Sequence, residues 1–183
     1  MVCKREFQDE IIINASTQVV YNQLTDLESY PQWNTVMPQV RIKKEHLQTG
    51  QKIKPTLVTS NGKIAFSASL SKVDPDHKEF RWVAKSPIPF FFKGEQFFKM
   101  VPAGENNDQT KFIRGSVYAG LMVPILSCTT LDKVDASIGE MVNVLKARVE
   151  SIAHPPPPPP AAESSAATTA IETETAAAAS STI

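Results

Sequence analysis

Hydrophobic and polar residues alternate along most of the chain, which is the pattern of strands with one buried face. Residues 6–14, with the sequence EFQDEIIIN, are rich in isoleucine and predict a first strand. After them the apolar residues recur every three or four positions, so a helix is predicted over 17–27, with Ser16 as its N-cap. Pro31 interrupts that pattern, and a short second helical turn is predicted over 30–34.

The middle of the chain predicts a series of antiparallel hairpins. Six strand-like segments follow Pro38, separated by polar turns, and Asn61-Gly62 is a strong signal for a two-residue hairpin turn. The six segments are QVRIKKEHL, KIKPTLVTS, IAFSASLSKV, EFRWVAK, FFKGEQFFKMV and TKFIRGSVYAG. In the third of them, one face is expected to carry Ile64, Phe66, Ala68 and Leu70.

A long amphipathic helix is predicted near 126–152, where the period changes again to three and four. Its apolar stripe consists of Leu131, Val134, Ile138, Met141, Leu145, Val149 and Ile152. Gly139 interrupts the helix only as a weak helix former that such a helix tolerates. The order of elements predicts an α+β fold, in which a curved antiparallel sheet of about seven strands wraps around the C-terminal helix and two short helices follow the first strand. The space between such a sheet and its helix is where a pocket is expected.

The composition changes abruptly at His154. An unbroken proline run follows it, and beyond that run the sequence AAESSAATTAIETETAAAASSTI is rich in Ala, Ser and Thr. Such a segment cannot bury enough apolar surface to offset its ordering entropy. We therefore predict one domain over 1–153 and a polyproline linker with a disordered tail over 154–183, and we expect the tail to add nothing to the stability of the domain.

Charge and cysteine usage point to no special partner. The 19 Lys and Arg residues balance 19 Asp and Glu residues, which gives no indication of binding to nucleic acid or to an anionic membrane. No apolar run approaches the roughly 20 residues of a membrane span or resembles a signal peptide. Cys3 and Cys128 form no disulfide or metal pattern, and His46, His77 and His154 are scattered. The prediction is a cytoplasmic protein without metal or cofactor and with no indicated oligomer.

Five stretches, in the first, middle and last parts of the sequence, carry a family resemblance. They are INASTQVVYNQLTDLESYPQWN at the start, FRWVAK after an Asp-Pro turn, and FKGEQFFKMVPAG, TKFIRGSVYAGLMVPIL and IGEMVNVLKARVES at the end. Their order and spacing over nearly all of 6–153 resemble the SRPBCC superfamily of START-like helix-grip domains, and within it the polyketide cyclase/dehydrase-like proteins. The resemblance implies a pocket for a small hydrophobic or polyketide-like molecule. It is less specific for function, because this fold carries lipid carriers, cyclases, hydrolases and plain binders.

Two stretches place large apolar side chains where regular structure is interrupted. The stretch LESYPQWNTVMPQV, residues 27–40, combines two prolines with a tryptophan. By resemblance it is the corner where the two short helices turn beneath the open end of the sheet. Trp33 would fill the gap there together with Tyr30, and it would either be a structural plug only or also form the floor of a ligand cavity. The loop SPIPFFF, residues 86–92, predicts a lid over the pocket mouth or a hydrophobic cover for the core.

Candidate chemistry lies on the last two strands and the long helix. The resemblance implies that one set of alternating residues faces inward: Gly94, Gln96, Phe98 and Met100, with Phe112, Arg114, Ser116 and Tyr118. Burying Arg114 among aromatic rings requires an acceptor, and Asp132 and Asp135 are the nearest candidates. Either a buried Arg–Asp pair ties the helix to the sheet, or the arginine meets an oxygen atom of a ligand. The predicted catalytic residues are Arg114, Asp132, Asp135 and Tyr118, and the predicted ligand-binding residues are Trp33, Phe66, Trp82, Gln96, Phe98, Phe112 and Ser116.

Three functions remain open at this point. The first, which we favour, is a cofactor-independent cyclase or dehydratase acting on an apolar oxidised carbon chain. In it, Arg114 stabilises a developing enolate, Asp132 or Asp135 is the base or orients the arginine, and Tyr118 donates a proton. The second is a non-catalytic protein that binds or transports a lipid or another hydrophobic metabolite. The third, an adaptor that uses the proline-rich tail, has the least support.

Overall fold

The computed structural model describes residues 3–42, 47–126 and 130–155, so His46, Cys128 and the predicted tail lie outside the described residues. The elements are β1 (Cys3–Ile13), α1 (Thr17–Thr25), α2 (Tyr30–Trp33), β2 (Gln39–Ile42), β3 (Lys52–Thr59), β4 (Gly62–Ala65), β5 (Ala68–Asp74), β6 (Glu79–Lys85), β7 (Lys93–Ala103), β8 (Gln109–Gly120), α3 (Val123–Leu126) and α4 (Asp132–Ala153).

The strands form one sheet in the order β1-β8-β7-β6-β5-β3-β2, with β4 paired to β3. Every neighbouring pair is antiparallel. The long helix α4 contacts strands β1 and β3 as well as helix α1. This is the predicted α+β helix-grip architecture, and it follows from a meander of half-buried strands that needs one amphipathic helix to cover its inner face.

Alternation along β7 and β8 places the predicted residues inside. Phe98 and Phe112 are fully buried, and Arg114 and Tyr118 are buried with them. Lys99, on the opposite face of β7, is exposed. The inward orientation that the resemblance implied for these two strands is therefore confirmed.

Two element boundaries differ from the sequence expectation. The predicted strand through Ile64 and Leu70 is divided, because β4 ends at Ala65 and β5 begins at Ala68. The hairpin turn before it consists of Ser60 and Asn61, since Thr59 pairs with Gly62.

The long helix begins later than predicted, at Asp132, after the separate short helix α3. Four residues of its stripe are at most 1% exposed, namely Ile138, Met141, Leu145 and Val149. Ile152 is 46% exposed, so the stripe ends before it. Among the described residues, no helix is both long and apolar enough to cross a membrane.

At the corner between α1 and β2, Tyr30 is the side chain that fills the core. It is fully buried, and its hydroxyl donates a hydrogen bond to the carbonyl oxygen of Leu24 at 2.6 Å. Trp33 is only half-buried; its ring packs edge-on against Tyr30 at 4.9 Å, and its Nε1 donates to Ser29 Oγ at 3.1 Å. Both rings that the sequence assigned to this corner pack there: Tyr30 belongs to the buried core, and Trp33 packs against that core from its edge.

Candidate functional site

An apolar cavity of about 220 Å³ lies between the sheet and the N-terminal half of α4. Strands β3, β4, β6, β7 and β8 supply one wall, and α3 with the start of α4 and the residues before it supplies the other. The lining residues are Leu57, Ile64, Phe66, Trp82, Ala84, Phe92, Gly94, Gln96, Tyr118, Leu126, Thr130, Leu131, Val134 and Ile138. An apolar cavity of roughly 150 Å³ accommodates benzene, so this one has room for about two fused rings.

The rim of the cavity is formed by lining residues that are only half-buried. They include Ile64 and Phe66 near the β3–β4 hairpin, Phe92 after the loop 86–92, and Leu126 and Val134 from the helical side. These positions surround one end of the sheet. The cavity therefore opens at the end where β6 leaves the sheet and β7 enters it.

Two polar side chains form the chemical feature of the cavity wall. Gln96 donates a hydrogen bond from Nε2 to the hydroxyl oxygen of Tyr118 at 2.9 Å, and both residues are buried. Burial raises the pKa of Tyr118 to about 12, so its phenol keeps its proton at neutral pH. Apart from this pair and Thr130, the described lining residues are apolar, and none of them is a carboxylate, an imidazole or a cation.

The buried arginine of β8 is held by two carboxylates. Nη1 of Arg114 lies 2.9 Å from Asp135 Oδ1, and Nη2 lies 3.1 Å from Asp135 Oδ2, which is a bidentate pair. Nη2 also donates to Asp9. Burial alone would lower the pKa of Arg114, but the hydrogen bonds and charge of Asp135 raise it, so the guanidinium stays charged.

Gly139 permits this arrangement, which corrects its interpretation as a tolerated weak spot. A Cβ at position 139 would lie 3.1 Å from Nη2 of Arg114. The absence of a side chain there lets the guanidinium lie against the helix. The signal in the sequence was that a glycine inside a helical pattern is unfavourable relative to alanine.

Asp132 does not take part in this pair. It is half-exposed and forms a surface ion pair with Arg5 at 2.5 Å. Asp135 faces the sheet, and Asp132, one turn earlier on the helix, does not. Of the two candidate partners for Arg114, the structure therefore selects Asp135.

Apart from Asp132, the polar residues predicted for the site form one connected chain of hydrogen bonds. Oγ of Ser116 lies 2.8 Å from Asp135 Oδ1 and 2.7 Å from Gln96 Oε1, and Gln96 reaches Tyr118. Only the last two line the cavity; Arg114, Asp135 and Ser116 lie behind its wall.

The predicted aromatic residues divide in the same way. Phe66 and Trp82 line the cavity, whereas Phe98 and Phe112 belong to the core below it and Trp33 lies at the corner. The lining residues that the site prediction missed are Leu57, Ile64, Ala84, Phe92, Gly94, Leu126, Thr130, Leu131, Val134 and Ile138. Strand alternation and the helical stripe carried signals for several of them, including Ile64, Leu131 and Ile138, but not for their depth.

The tyrosines are expected to titrate abnormally. Burial raises the pKa of Tyr21 and Tyr30 as well as that of Tyr118, and these are the three tyrosines of the chain. The folded protein should therefore show less tyrosinate near pH 10 than free tyrosine does, which is about half ionised there. Since the unfolded chain then loses these protons first, the stability they contribute is present below about pH 10 and falls as the pH rises toward about 12. Ultraviolet absorbance recorded with circular dichroism measures this; half-ionisation near pH 10 in a folded protein would contradict it.

Comparison with known proteins identifies a matching family and structures with the same fold. The sequence model of the family described as polyketide cyclase / dehydrase and lipid transport matches residues 4–150. No curated protein sequence matches the chain.

Several solved structures resemble the structure of this chain at low sequence identity. A START superfamily protein from Mycobacterium smegmatis has a TM-score of 0.62 at 19% identity, with 80% of this chain and 98% of that chain covered. The Zhui aromatase/cyclase from Streptomyces sp. R1128 has a TM-score of 0.64 at 11% identity, with 81% and 95% covered. Truncated norcoclaurine synthase from Thalictrum flavum has a TM-score of 0.62 at 13% identity, with 81% and 94% covered. At these identities the likeness concerns the fold.

Proposed function

The chain belongs to the polyketide cyclase / dehydrase and lipid transport family, and we propose that it binds and carries a small, mostly apolar molecule with one oxygen-bearing group, without converting it. The family accounts for a small-molecule pocket. The cavity's lining supports the choice between carrying and catalysis.

The observation behind this proposal is the amide–phenol pair in an otherwise apolar wall. A cyclisation or dehydration needs a base whose pKa lies near the working pH. A neutral glutamine and a phenol with a pKa of about 12 do not meet that need. They suit recognition instead, because Tyr118 and Gln96 can each exchange a hydrogen bond with a ligand hydroxyl or carbonyl.

The arrangement around Arg114 supports the same choice. Its planar donors are taken up by Asp135 and Asp9, and it lies behind the cavity wall. Using it to stabilise an enolate would require breaking a buried bidentate pair, which is unfavourable. The favoured hypothesis from the sequence, a cyclase with Arg114 and an aspartate as catalytic groups, is therefore replaced by its alternative.

A two-ring probe tests the pocket. We expect naphthol and naphthalene to bind, as measured by isothermal titration calorimetry. Tyr118→Phe should lower the affinity for naphthol about fivefold to tenfold, the value of one hydrogen bond, and leave the affinity for naphthalene unchanged. Val134→Phe should lower both affinities at least about tenfold, because its ring occupies the cavity. Val101→Phe, on the outer face of β7, is the matched control and should change neither affinity.

The natural ligand separates carrying from catalysis. Native mass spectrometry of the protein from its own host should reveal a bound molecule, which should be recovered unchanged after incubation with fresh protein. Conversion into a compound with a different chromatographic retention, lost in Tyr118→Phe, would support the cyclase instead. Equal loss of naphthol and naphthalene binding in Tyr118→Phe would contradict the recognition role of the phenol.

A further inference from the structure

Four large apolar side chains are exposed at the open end of the sheet. Ile88 is 60% exposed, Phe90 77%, Leu121 57% and Ile125 66%. They lie on the loop between β6 and β7 and on the segment that follows β8. We call these four residues the apolar tip. Scattered exposed apolar residues are ordinary, but four on two adjoining loops form a patch of the kind that marks an interaction site.

The two loops of the apolar tip are tied to each other. The backbone nitrogen of Leu121 donates to the carbonyl oxygen of Phe90 at 3.0 Å, and that of Met122 donates to Phe91 at 3.1 Å. Gly120 allows this approach, because a Cβ there would lie 2.4 Å from the Phe91 carbonyl oxygen. The exposed side chains are thus presented by a hydrogen-bonded platform.

Phe90 has an unfavourable backbone conformation. Its φ is +61°, in the left-handed region that a bulky side chain rarely adopts. Such strain concentrates at functional positions. Here it accompanies the most exposed of the large apolar side chains described, so both the conformation and the exposure of Phe90 are unfavourable.

A row of cations crosses the outer face of the sheet just behind the apolar tip. Lys85 lies opposite Lys93, and Ala119 lies between Lys93 and Lys4. Toward the other edge of the sheet, Arg41 on β2 lies opposite Lys54 on β3. We call Lys4, Arg41, Lys54, Lys85 and Lys93 the cation row. Like charges on facing strands destabilise a sheet, so this row also has a cost.

The two halves of the cation row meet in a groove of about 750 Å³. Arg41, Lys52, Lys54 and Lys85 line it together with the Ser67 and Ser69 positions. None of its described lining residues is acidic, and none of these four cations has an ion pair with a described carboxylate.

Acidic residues lie farther from the apolar tip, two residues along the strand from the nearest lysine. Glu6 and Glu95 both face Val117 across the strands, and they pair with Lys4 and Lys93 respectively. Among the described residues, the charged side chains at the level of the sheet nearest the apolar tip are therefore all cations. The balanced net charge of the chain conceals this local excess.

We propose that this end of the protein docks on an anionic membrane surface, with the apolar tip inserted and the cation row at the level of the lipid phosphates. The order of an apolar end followed by a band of lysine and arginine is that of interfacial membrane binding. A protein partner would need complementary acidic and apolar patches in fixed positions, whereas a bilayer supplies both layers at the matching depths. This goes beyond ligand carrying, and none of its residues forms part of the cavity wall.

Docking would also place the cavity mouth at the membrane. Phe92 follows the apolar tip on one loop and Leu126 follows it on the other, and both line the cavity. A molecule could then pass between the bilayer and the cavity without crossing water. Vesicle binding itself does not depend on any ligand, so the docking proposal and the proposed function fail separately.

Vesicle co-sedimentation tests the proposal with the whole chain. We expect the protein to sediment with vesicles of equimolar phosphatidylcholine and phosphatidylserine, less so at high salt, and not with phosphatidylcholine alone. Phe90→Asn should lower the partition coefficient at least about tenfold, and asparagine tolerates the left-handed backbone. Ile125→Ser is a second variant that leaves this backbone untouched. Ile152→Ser, an exposed isoleucine at the far end of α4, is the matched control and should bind as the natural chain does.

The cation row has its own pair of variants. Lys85→Glu should lower binding to the anionic vesicles by at least about fivefold. Lys99→Glu, at a lysine of β7 that is also exposed but lies outside the row, should have a much smaller effect. Absence of sedimentation with the anionic vesicles would overturn the proposal, and so would binding that Phe90→Asn, Ile125→Ser and Lys85→Glu all leave unchanged.

Discussion

Replacing Arg114 with alanine is expected to lower the free energy of unfolding by about 3–5 kcal/mol, the usual effect of leaving one partner of a buried ion pair alone. Arg114 is 7% exposed, and so is Asp135. Removing the guanidinium leaves a carboxylate between α4 and the sheet with Ser116 as its remaining hydrogen-bond donor among the residues described. The helix that covers the cavity would lose its main polar attachment to β8. Urea denaturation followed by circular dichroism measures the change.

The chain offers a matched control for this variant. Arg5 and Asp132 likewise join a strand to α4, but the strand is β1 and the pair lies on the surface. Arg5→Ala should cost less than about 1 kcal/mol, because solvent screens an exposed pair. The double variant Arg114→Met with Asp135→Leu should recover most of the loss, since it leaves no unpaired charge. If Arg114→Ala lowers the free energy of unfolding no more than Arg5→Ala does, the Arg114–Asp135 pair does not hold the helix to the sheet.

Tyr30→Ala is expected to destabilise the protein by about 3–5 kcal/mol, the range for removing a fully buried aromatic ring. The ring is fully buried beneath α1, and its hydroxyl satisfies the carbonyl oxygen of Leu24. Trp33→Ala, although it removes a larger side chain, should have a clearly smaller effect because Trp33 is only half-buried. Thermal and chemical denaturation of the two variants provide the comparison.

Tyr30→Phe separates the two contributions of this residue. It keeps the packing and removes only the hydroxyl, which leaves the Leu24 carbonyl without its donor at a cost of about 1–3 kcal/mol. A larger loss of unfolding free energy in Trp33→Ala than in Tyr30→Ala would mean that Trp33 contributes more to the packing of this corner than Tyr30.

A chain of buried hydrogen bonds runs from the Arg114–Asp135 ion pair to the cavity wall. Asp135 holds Arg114, and Ser116 links that carboxylate to Gln96, whose amide meets Tyr118 in the cavity wall. Each polar atom in this chain constrains the orientation of the next. The charged end thus fixes the fold, while the neutral end faces the ligand space.

The sequence by itself determined which residues face inward. Alternation and the resemblance together placed Gln96, Arg114 and Tyr118 on one face of the sheet, and the helical stripe identified Ile138 and its neighbours. These features depend on local geometry, because side chains alternate every two residues in strands and recur every 3.6 residues in helices. The fold class follows from the same periods.

Only the tertiary structure decided the depth of each inward-facing residue. Arg114 and Tyr118 share a face, but four residues along a strand separate them by roughly 13 Å. Helix α4 packs against the level of Arg114. It closes over Arg114 with Asp135 and Gly139 and leaves Tyr118 open to the cavity, which no periodicity in the sequence could reveal.

Spatial register decided the charge distribution in the same way. Lys4, Lys85 and Lys93 are far apart in sequence, and in the composition they are cancelled by acidic residues. Strand pairing brings them to one level of the sheet and sets Glu6 and Glu95 one step behind. Net charge adds over the chain regardless of position, whereas the field at a surface depends on which charges lie there. The sequence therefore determined the fold and the faces of its elements, and three-dimensional packing decided which residues form the pocket and which form the surface.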